Sequence, residues 1–151
     1  MGRVLALDLG TRRIGLAMSD ELNLTAQGLP TMIRRDLRWD LAELTRIAAA
    51  HGVDRILLGD PRRMDGEKGT QSEWAREFAV ELETKLGLPV EMWDERLTSR
   101  EAERMLRGSH IANRERKAAI DRISAVILLQ SYLDSNHMQT HGWKPHQEPP
   151  V

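Results

Sequence analysis

Hydrophobic and polar positions along the chain follow two periods, and the switches between them mark out the elements. Val4 to Leu9 reads as a strand, with Leu5, Leu7 and Leu9 on one face and Val4, Ala6 and Asp8 on the other. Both faces are apolar until Asp8, the pattern of a central strand covered on both sides. Gly10-Thr11-Arg12-Arg13 is a short connection, and Ile14 to Ser19 then alternates large residues with small ones. Strands joined this tightly pair antiparallel. A third extended segment falls between Gln27 and Arg34. Asp36 can cap a helix running to about Ala50, in which Leu37, Leu41, Leu44, Ile47 and Ala48 recur at helical spacing before His51-Gly52 stops it. Val53 to Leu58 is a buried strand, and Gly59 to Gly69 lacks an apolar period and reads as a loop. Thr70 or Ser72 starts a helix whose Trp74, Phe78, Leu82 and Leu86 repeat every four residues until Gly87. Pro89 to Trp93 is a strand. Thr98, with Glu101 three residues on, forms a capping box for a short helix. Gly108 to Glu115 is polar and irregular, Arg116 to Asp134 is a long helix, and Asn136 to Val151, with Pro145, Pro149 and Pro150, reads as a loose tail.

The order β-β-β-α-β-α-β-α-α predicts an α/β fold. A hairpin-led antiparallel meander and two parallel strands make a mixed five-stranded sheet flanked by helices. The 151 residues supply one core, with a domain over 1–135 and a tail over 136–151.

Composition narrows the chemistry. Without cysteine, disulfide frameworks, thiolate zinc sites and cysteine nucleophiles are excluded. No apolar run approaches the roughly 20 residues of a membrane helix. Met1-Gly2-Arg3 passes straight into a strand pattern, so the expectation is a cytoplasmic protein with no leader and no membrane partner.

A formal net charge of -1 speaks against a globally basic nucleic-acid binder. Two details change that picture. Of the 22 basic residues 18 are Arg, whose planar fork suits bidentate phosphate contacts. The charges are also segregated: Lys68 to Glu95 carries 7 acids and 3 bases, whereas Arg96 to Lys117 carries 7 bases and 3 acids.

Three carboxylate positions are awkward for a purely structural role. Asp8 ends a strand that is otherwise apolar, a place where carboxylates are seldom found unless paired or metal-bound. Asp94-Glu95-Arg96 follows the strand Val90 to Trp93, where α/β proteins place ligands. Alternation sets Glu91, Trp93 and Glu95 on one face and Val90, Met92 and Asp94 on the other, so one of the two adjacent acids can point at a common site. Asp121 lies on a helix face built from Ala118, Ser124 and Ala125, small enough to press close to a sheet; a salt bridge to Lys117 is its simplest alternative. Converging carboxylates would form an oxygen-lined site suited to Mg²⁺ or Mn²⁺. Two such ions can clamp the attacking and leaving oxygens of an in-line phosphoryl displacement.

These residues resemble the YqgF family, the Holliday-junction-resolvase-like proteins also described as pre-16S rRNA nucleases. The resemblance runs from about Val4 to Asp134. It rests on Asp8-Leu9-Gly10-Thr11-Arg12-Arg13-Ile14-Gly15-Leu16-Ala17 with Ser19-Asp20, on Met64-Asp65-Gly66, on Asp94-Glu95-Arg96-Leu97-Thr98, and on Ile120-Asp121 with the Ala125 to Leu129 run and Tyr132-Leu133-Asp134. It implies an RNase H-like fold with Asp8, Glu95 and Asp121 as an acidic metal-binding triad, which selects Glu95 over Asp94. It also implies metal-dependent phosphodiester hydrolysis on structured nucleic acid, with processing of the 5′ end of precursor 16S rRNA in ribosome biogenesis as the task. The expected cofactor is Mg²⁺ or Mn²⁺, as two ions. Arg13, Arg96, Arg100 and Lys117 are the expected phosphate contacts. The expected partners are precursor rRNA or a DNA junction, and the ribosomal subunit, with the chain acting as a monomer or homodimer. Two other readings compete: a resolvase-type DNA endonuclease, and a non-catalytic RNA- or ribosome-associated factor. Gly59-Asp60-Pro61 departs from the family's usual Gly-x-Pro by an acid at its centre, read here as a loop carboxylate rather than a fourth ligand.

Overall fold

In the computed structural model the described residues are 2–60, 70–94 and 113–140, with side chains described for all of these except 70–72, 94, 113–121 and 137–140. The elements are β1 (Arg3–Leu9), β2 (Arg13–Ser19), β3 (Ala26–Ile33), α1 (Leu37–His51), β4 (Val53–Asp60), α2 (Thr70–Leu86), β5 (Val90–Asp94) and α3 (Asn113–Thr140). They form one sheet ordered β3-β2-β1-β4-β5. The first three strands pair antiparallel, and β1–β4 and β4–β5 pair parallel, as the chain pattern predicts.

The alternation in β1 sorts the core into two halves. Leu5 and Leu7 face α1 and α2, where they join Leu41, Leu44, Phe78 and Leu82. Val4 and Ala6 face α3, where they join Leu57, Leu128, Leu129 and Tyr132. A strand buried on both faces must sit at the centre of the sheet, and β1 does. The helix ends follow local chemistry. The Asp36 carboxylate accepts from the Trp39 N–H at 2.7 Å, and Gly52 closes α1 in the left-handed conformation at φ 67°.

α3 packs across β2 and β3. A Cβ on Gly28 would come within 2.6 Å of Arg122 Cγ, so the Arg122 side chain lies in the space that Gly28 leaves. The register of α3 on the sheet is fixed at three points. Gln130 Oε1 accepts from the Ala26 N–H at 3.0 Å, Arg122 covers Gly28, and the Tyr132 hydroxyl accepts from Arg55 Nη1 at 2.7 Å. That hydroxyl raises the Arg55 pKa above its ordinary value. The Tyr132 ring also meets Trp93 edge to face at 5.2 Å.

Three expectations need correction. Asp60 is not a loop residue: β4 runs to Asp60, which pairs in register with Asp94 and is only 6% exposed. An absent apolar period does not end a parallel ladder whose partner continues. α3 begins at Asn113, inside the stretch read as irregular, and continues to Thr140, past the helix end expected at Asp134. The prolines at 145, 149 and 150 suggested a loose tail from Asn136, but no Gly or Pro interrupts 113–140. Within it, Gln130 Nε2 donates to Asp134 Oδ1 at 2.9 Å, one turn on. The short helix expected after Thr98 and the tail from 141 lie outside the described residues. Among the described residues, no helix is long and apolar enough to cross a membrane.

Candidate functional site

Parallel pairing brings the carboxyl ends of β1, β4 and β5 to one edge of the sheet, where irregular backbone is free to meet a ligand. The ladder sets the rows. Leu7 pairs with Leu58 and Leu58 with Met92; all three pack toward α1 and α2. One residue on, Asp8 stands level with Gly59 and Trp93, on the face that α3 covers. Gly59 contributes no side chain to that row, and Trp93 packs into the α3 half of the core. One residue further, Leu9, Asp60 and Asp94 occupy register positions that alternate back to the α1–α2 face. Asp8 and Asp60 therefore end neighbouring strands on opposite faces. Asp8 is half-buried. Both carboxylates have interaction partners.

α3 runs past this edge. Moving from Gln130 to Arg122 along the helix moves from Ala26 to Gly28 along β3. β3 runs parallel to β1, because each is antiparallel to β2. The amino-terminal half of α3 is thus directed toward the end of the sheet that carries Asp8. Position 121 is one turn before Ala125 and two before Leu128, the residues of α3 buried on the sheet. Ser124 is 2% exposed, and its Oγ has no hydrogen-bond partner among the described residues. A buried hydroxyl left so calls for water or an ion nearby.

The structure places the sequence-predicted residues unevenly. Asp8 and Arg13 are described, at opposite ends of the β1–β2 turn. Asp121 and Lys117 lie on the α3 backbone, their side chains outside the described residues. Glu95, Arg96 and Arg100 lie outside the described residues altogether. Among the described residues no cluster of three metal-ligating side chains occurs. The donor set of the expected triad is all carboxylate, and its described member is half-buried beside a side-chain-free position. That chemistry fits a hard divalent cation.

The turn after Asp8 is tightly built. The Gly10 N–H donates to the Arg13 carbonyl at 2.9 Å. A Cβ on Gly10 would stand 2.7 Å from that same carbonyl oxygen, which belongs to the backbone and cannot swing away. Gly10→Ala is expected to open the turn. The expected outcome is a stability loss of about 1–3 kcal/mol by urea unfolding and a clear fall in catalytic rate.

Sequence reasoning missed a buried pair beside this turn. Arg34 Nε donates to Asp40 Oδ2 at 3.0 Å, with the two side chains 13% and 1% exposed. A signal was present. Asp40 is in line with Leu44 and Ala48 at i+4 and i+8, so it lies on the buried stripe of α1 rather than its wet face.

Comparison with known proteins gives the family and the fold. A family model described as "RuvX: Holliday junction resolvase" matches residues 2–135. A Koribacter versatilis protein named "Putative pre-16S rRNA nuclease" is 51% identical over 133 residues, 88% of this chain and 87% of that one. A Bacillus subtilis protein of the same name is 43% identical over 135 residues, 88% of this chain and 98% of its own. Among solved structures, T. thermophilus RuvC in complex with a Holliday junction substrate has a TM-score of 0.54 at 13% identity, over 91% of this chain and 96% of that one. A fowlpox virus resolvase bound to Holliday junction DNA has a TM-score of 0.51 at 14% identity, over 89% and 98%. At such identities the likeness is one of fold, and it bears out the RNase H-like expectation.

Proposed function

The chain belongs to the RuvX family, described as Holliday junction resolvases, and is a nuclease that hydrolyses phosphodiester bonds; on that premise we propose that it matures precursor 16S rRNA in the cytoplasm in a divalent-cation-dependent reaction. The observation that carries the substrate is the name shared by relatives 42–51% identical over nearly their whole lengths. The resolvase reading keeps one specific support, the description of the matching family model.

Asp8, Glu95 and Asp121 are the proposed ligands of Mg²⁺ or Mn²⁺, as two ions. When bound, such cations neutralise charge on the scissile phosphate and acidify water. The rest falls to the chain. Asp8 lies in the α3-facing row, beside Gly59, which carries no side chain. Glu95 is proposed as the second ligand in place of its neighbour Asp94, as the family resemblance implies. The direction of α3 over β3, with its amino-terminal half toward that edge, supports Asp121 as the third ligand. Arg13, Arg96, Arg100 and Lys117 hold the flanking phosphates and set register without reading sequence. Neutralising an acidic centre beside a basic strip explains how a chain of net charge -1 engages nucleic acid.

The test offers three substrates to one preparation with Mg²⁺: a precursor rRNA fragment spanning the mature 5′ end, a four-way DNA junction, and single-stranded RNA of the same composition. The expected result is defined cleavage of the precursor and little of the others. Preferential symmetric cutting of the junction would make the protein a resolvase. Binding of the precursor with no cleavage across Mg²⁺ and Mn²⁺ titrations would make it a non-catalytic factor.

A further inference from the structure

We propose that Arg34, held by Asp40, is a positioning residue: it clamps the β1–β2 turn and through that turn aims the Asp8 carboxylate. The inference rests on the assignment of Asp8 to the active site.

Arg34 grips the turn twice. Its backbone N–H donates to the Arg12 carbonyl at 2.8 Å, and its Nη1 donates to the Gly10 carbonyl at 3.1 Å. The same guanidinium donates through Nε to Asp40 Oδ2 at 3.0 Å. The other oxygen of Asp40 accepts from the Arg35 N–H, also at 3.0 Å. Arg34 Cζ lies over the rings of Trp74 and Phe78, 5.3 Å and 5.2 Å from their centroids. One side chain therefore ties the turn after Asp8 to the end of β3, the first turn of α1 and the aromatic face of α2.

A merely structural role explains this poorly. Replacing a buried ion pair by packed apolar side chains is often neutral or stabilising, so stability alone does not call for a charge here. What an apolar side chain cannot supply is a planar fork of donors. Arg34 uses that fork to reach a carboxylate on one helix and a turn carbonyl two residues after Asp8. Alternation puts Asp8 on the α3 face, whereas Asp40 and the two rings are on the α1–α2 side, so Arg34 acts through the backbone rather than by touching substrate. The turn it fixes also carries Arg13, the first residue of β2. A single clamp thus sets the spacing between a candidate cation ligand and a candidate phosphate contact.

The experiment compares wild type, Arg34→Lys, Asp40→Asn and Asp8→Asn in the full chain, reading steady-state cleavage together with amide hydrogen exchange. Lysine keeps the charge but loses the planar fork, so a single flexible nitrogen must serve both Asp40 and the Gly10 carbonyl. Arg34→Lys is expected to lower kcat about 10–100-fold with KM changed less than about threefold, because a small misplacement of a reacting group costs rate rather than binding. The amides of Gly10 and of residue 34, whose N–H groups donate to the Arg13 and Arg12 carbonyls, are expected to exchange at least about tenfold faster, with Ile56 and Leu58 in β4 unchanged, the mark of local rather than global opening. Asp40→Asn retains a carbonyl for the Arg35 N–H and is expected to move both readouts the same way by less; it keeps the test open if Arg34→Lys fails to fold. An unchanged kcat, faster exchange spread equally into β4, or a raised KM at constant kcat would each overturn the positioning role. If Asp8→Asn cleaves like wild type while Arg34→Lys still loosens the turn, the Asp8 assignment has failed and the clamp has not.

Discussion

Asp8→Asn is expected to reduce cleavage of the precursor rRNA about 1,000-fold or more, equivalent to roughly 4 kcal/mol of lost transition-state stabilisation, while the thermal midpoint moves little. The substitution is nearly isosteric, so the row with Gly59 and Trp93 keeps its shape. What it removes is the full negative charge, and a neutral amide is a poor ligand for a hard cation. The fold should tolerate the change because β1 is held by its other residues: Leu5, Ala6 and Leu7 are fully buried, and the ladders to β2 and β4 do not use side chains. Circular dichroism and a thermal melt, run beside the cleavage assay, check the expectation. Loss of cleavage together with loss of the melt would point to a structural carboxylate instead.

The second large effect is on stability. Leu128→Ala is expected to cost about 2–5 kcal/mol in urea unfolding. Leu128 is 1% exposed and packs with Val4, Ala6, Leu57, Leu129 and Tyr132. It lies two helical turns after Asp121, in the segment that seats α3 on the sheet. Its loss should therefore lower cleavage beyond the fraction unfolded, because the docking of α3 determines where position 121 stands. Cleavage that tracks the folded fraction alone would show that Asp121 is positioned by something other than this packing.

Much of this layout is legible in the sequence because alternation along a doubly covered strand is a strong signal. Leu5, Leu7 and Leu9 against Val4, Ala6 and Asp8 predicts both a central β1 and the face that Asp8 presents. Alternation along β5 allows either Asp94 or Glu95 at the common site, and it is the family resemblance that selects Glu95. What stayed hidden depends on partners far away in the chain. The last pair of β4 is a ladder contact with Trp93 and Asp94, which no apolar period announces, so Asp60 reads as loop. The extension of α3 to Thr140 rests on the absence of breakers inside it, whereas the eye is drawn to the prolines beyond. Arg34 reads as the end of a strand and Asp40 as an acid in a first helical turn, favourable there for the dipole alone. Only the fold shows that they meet each other, two turn carbonyls and two rings.

The assignment of one cation centre to the sheet edge is tested most directly by paramagnetic broadening. Substoichiometric Mn²⁺ is added to isotope-labelled protein and backbone amide resonances are followed in wild type and Asp8→Asn. The expected result is selective broadening of Leu9 and Gly10 at the end of β1, of Asp94 at the end of β5, and of residues around 121 in α3, with all three groups spared in Asp8→Asn. Broadening confined to any other part of the molecule, or the same pattern in the Asp8→Asn protein, would contradict it.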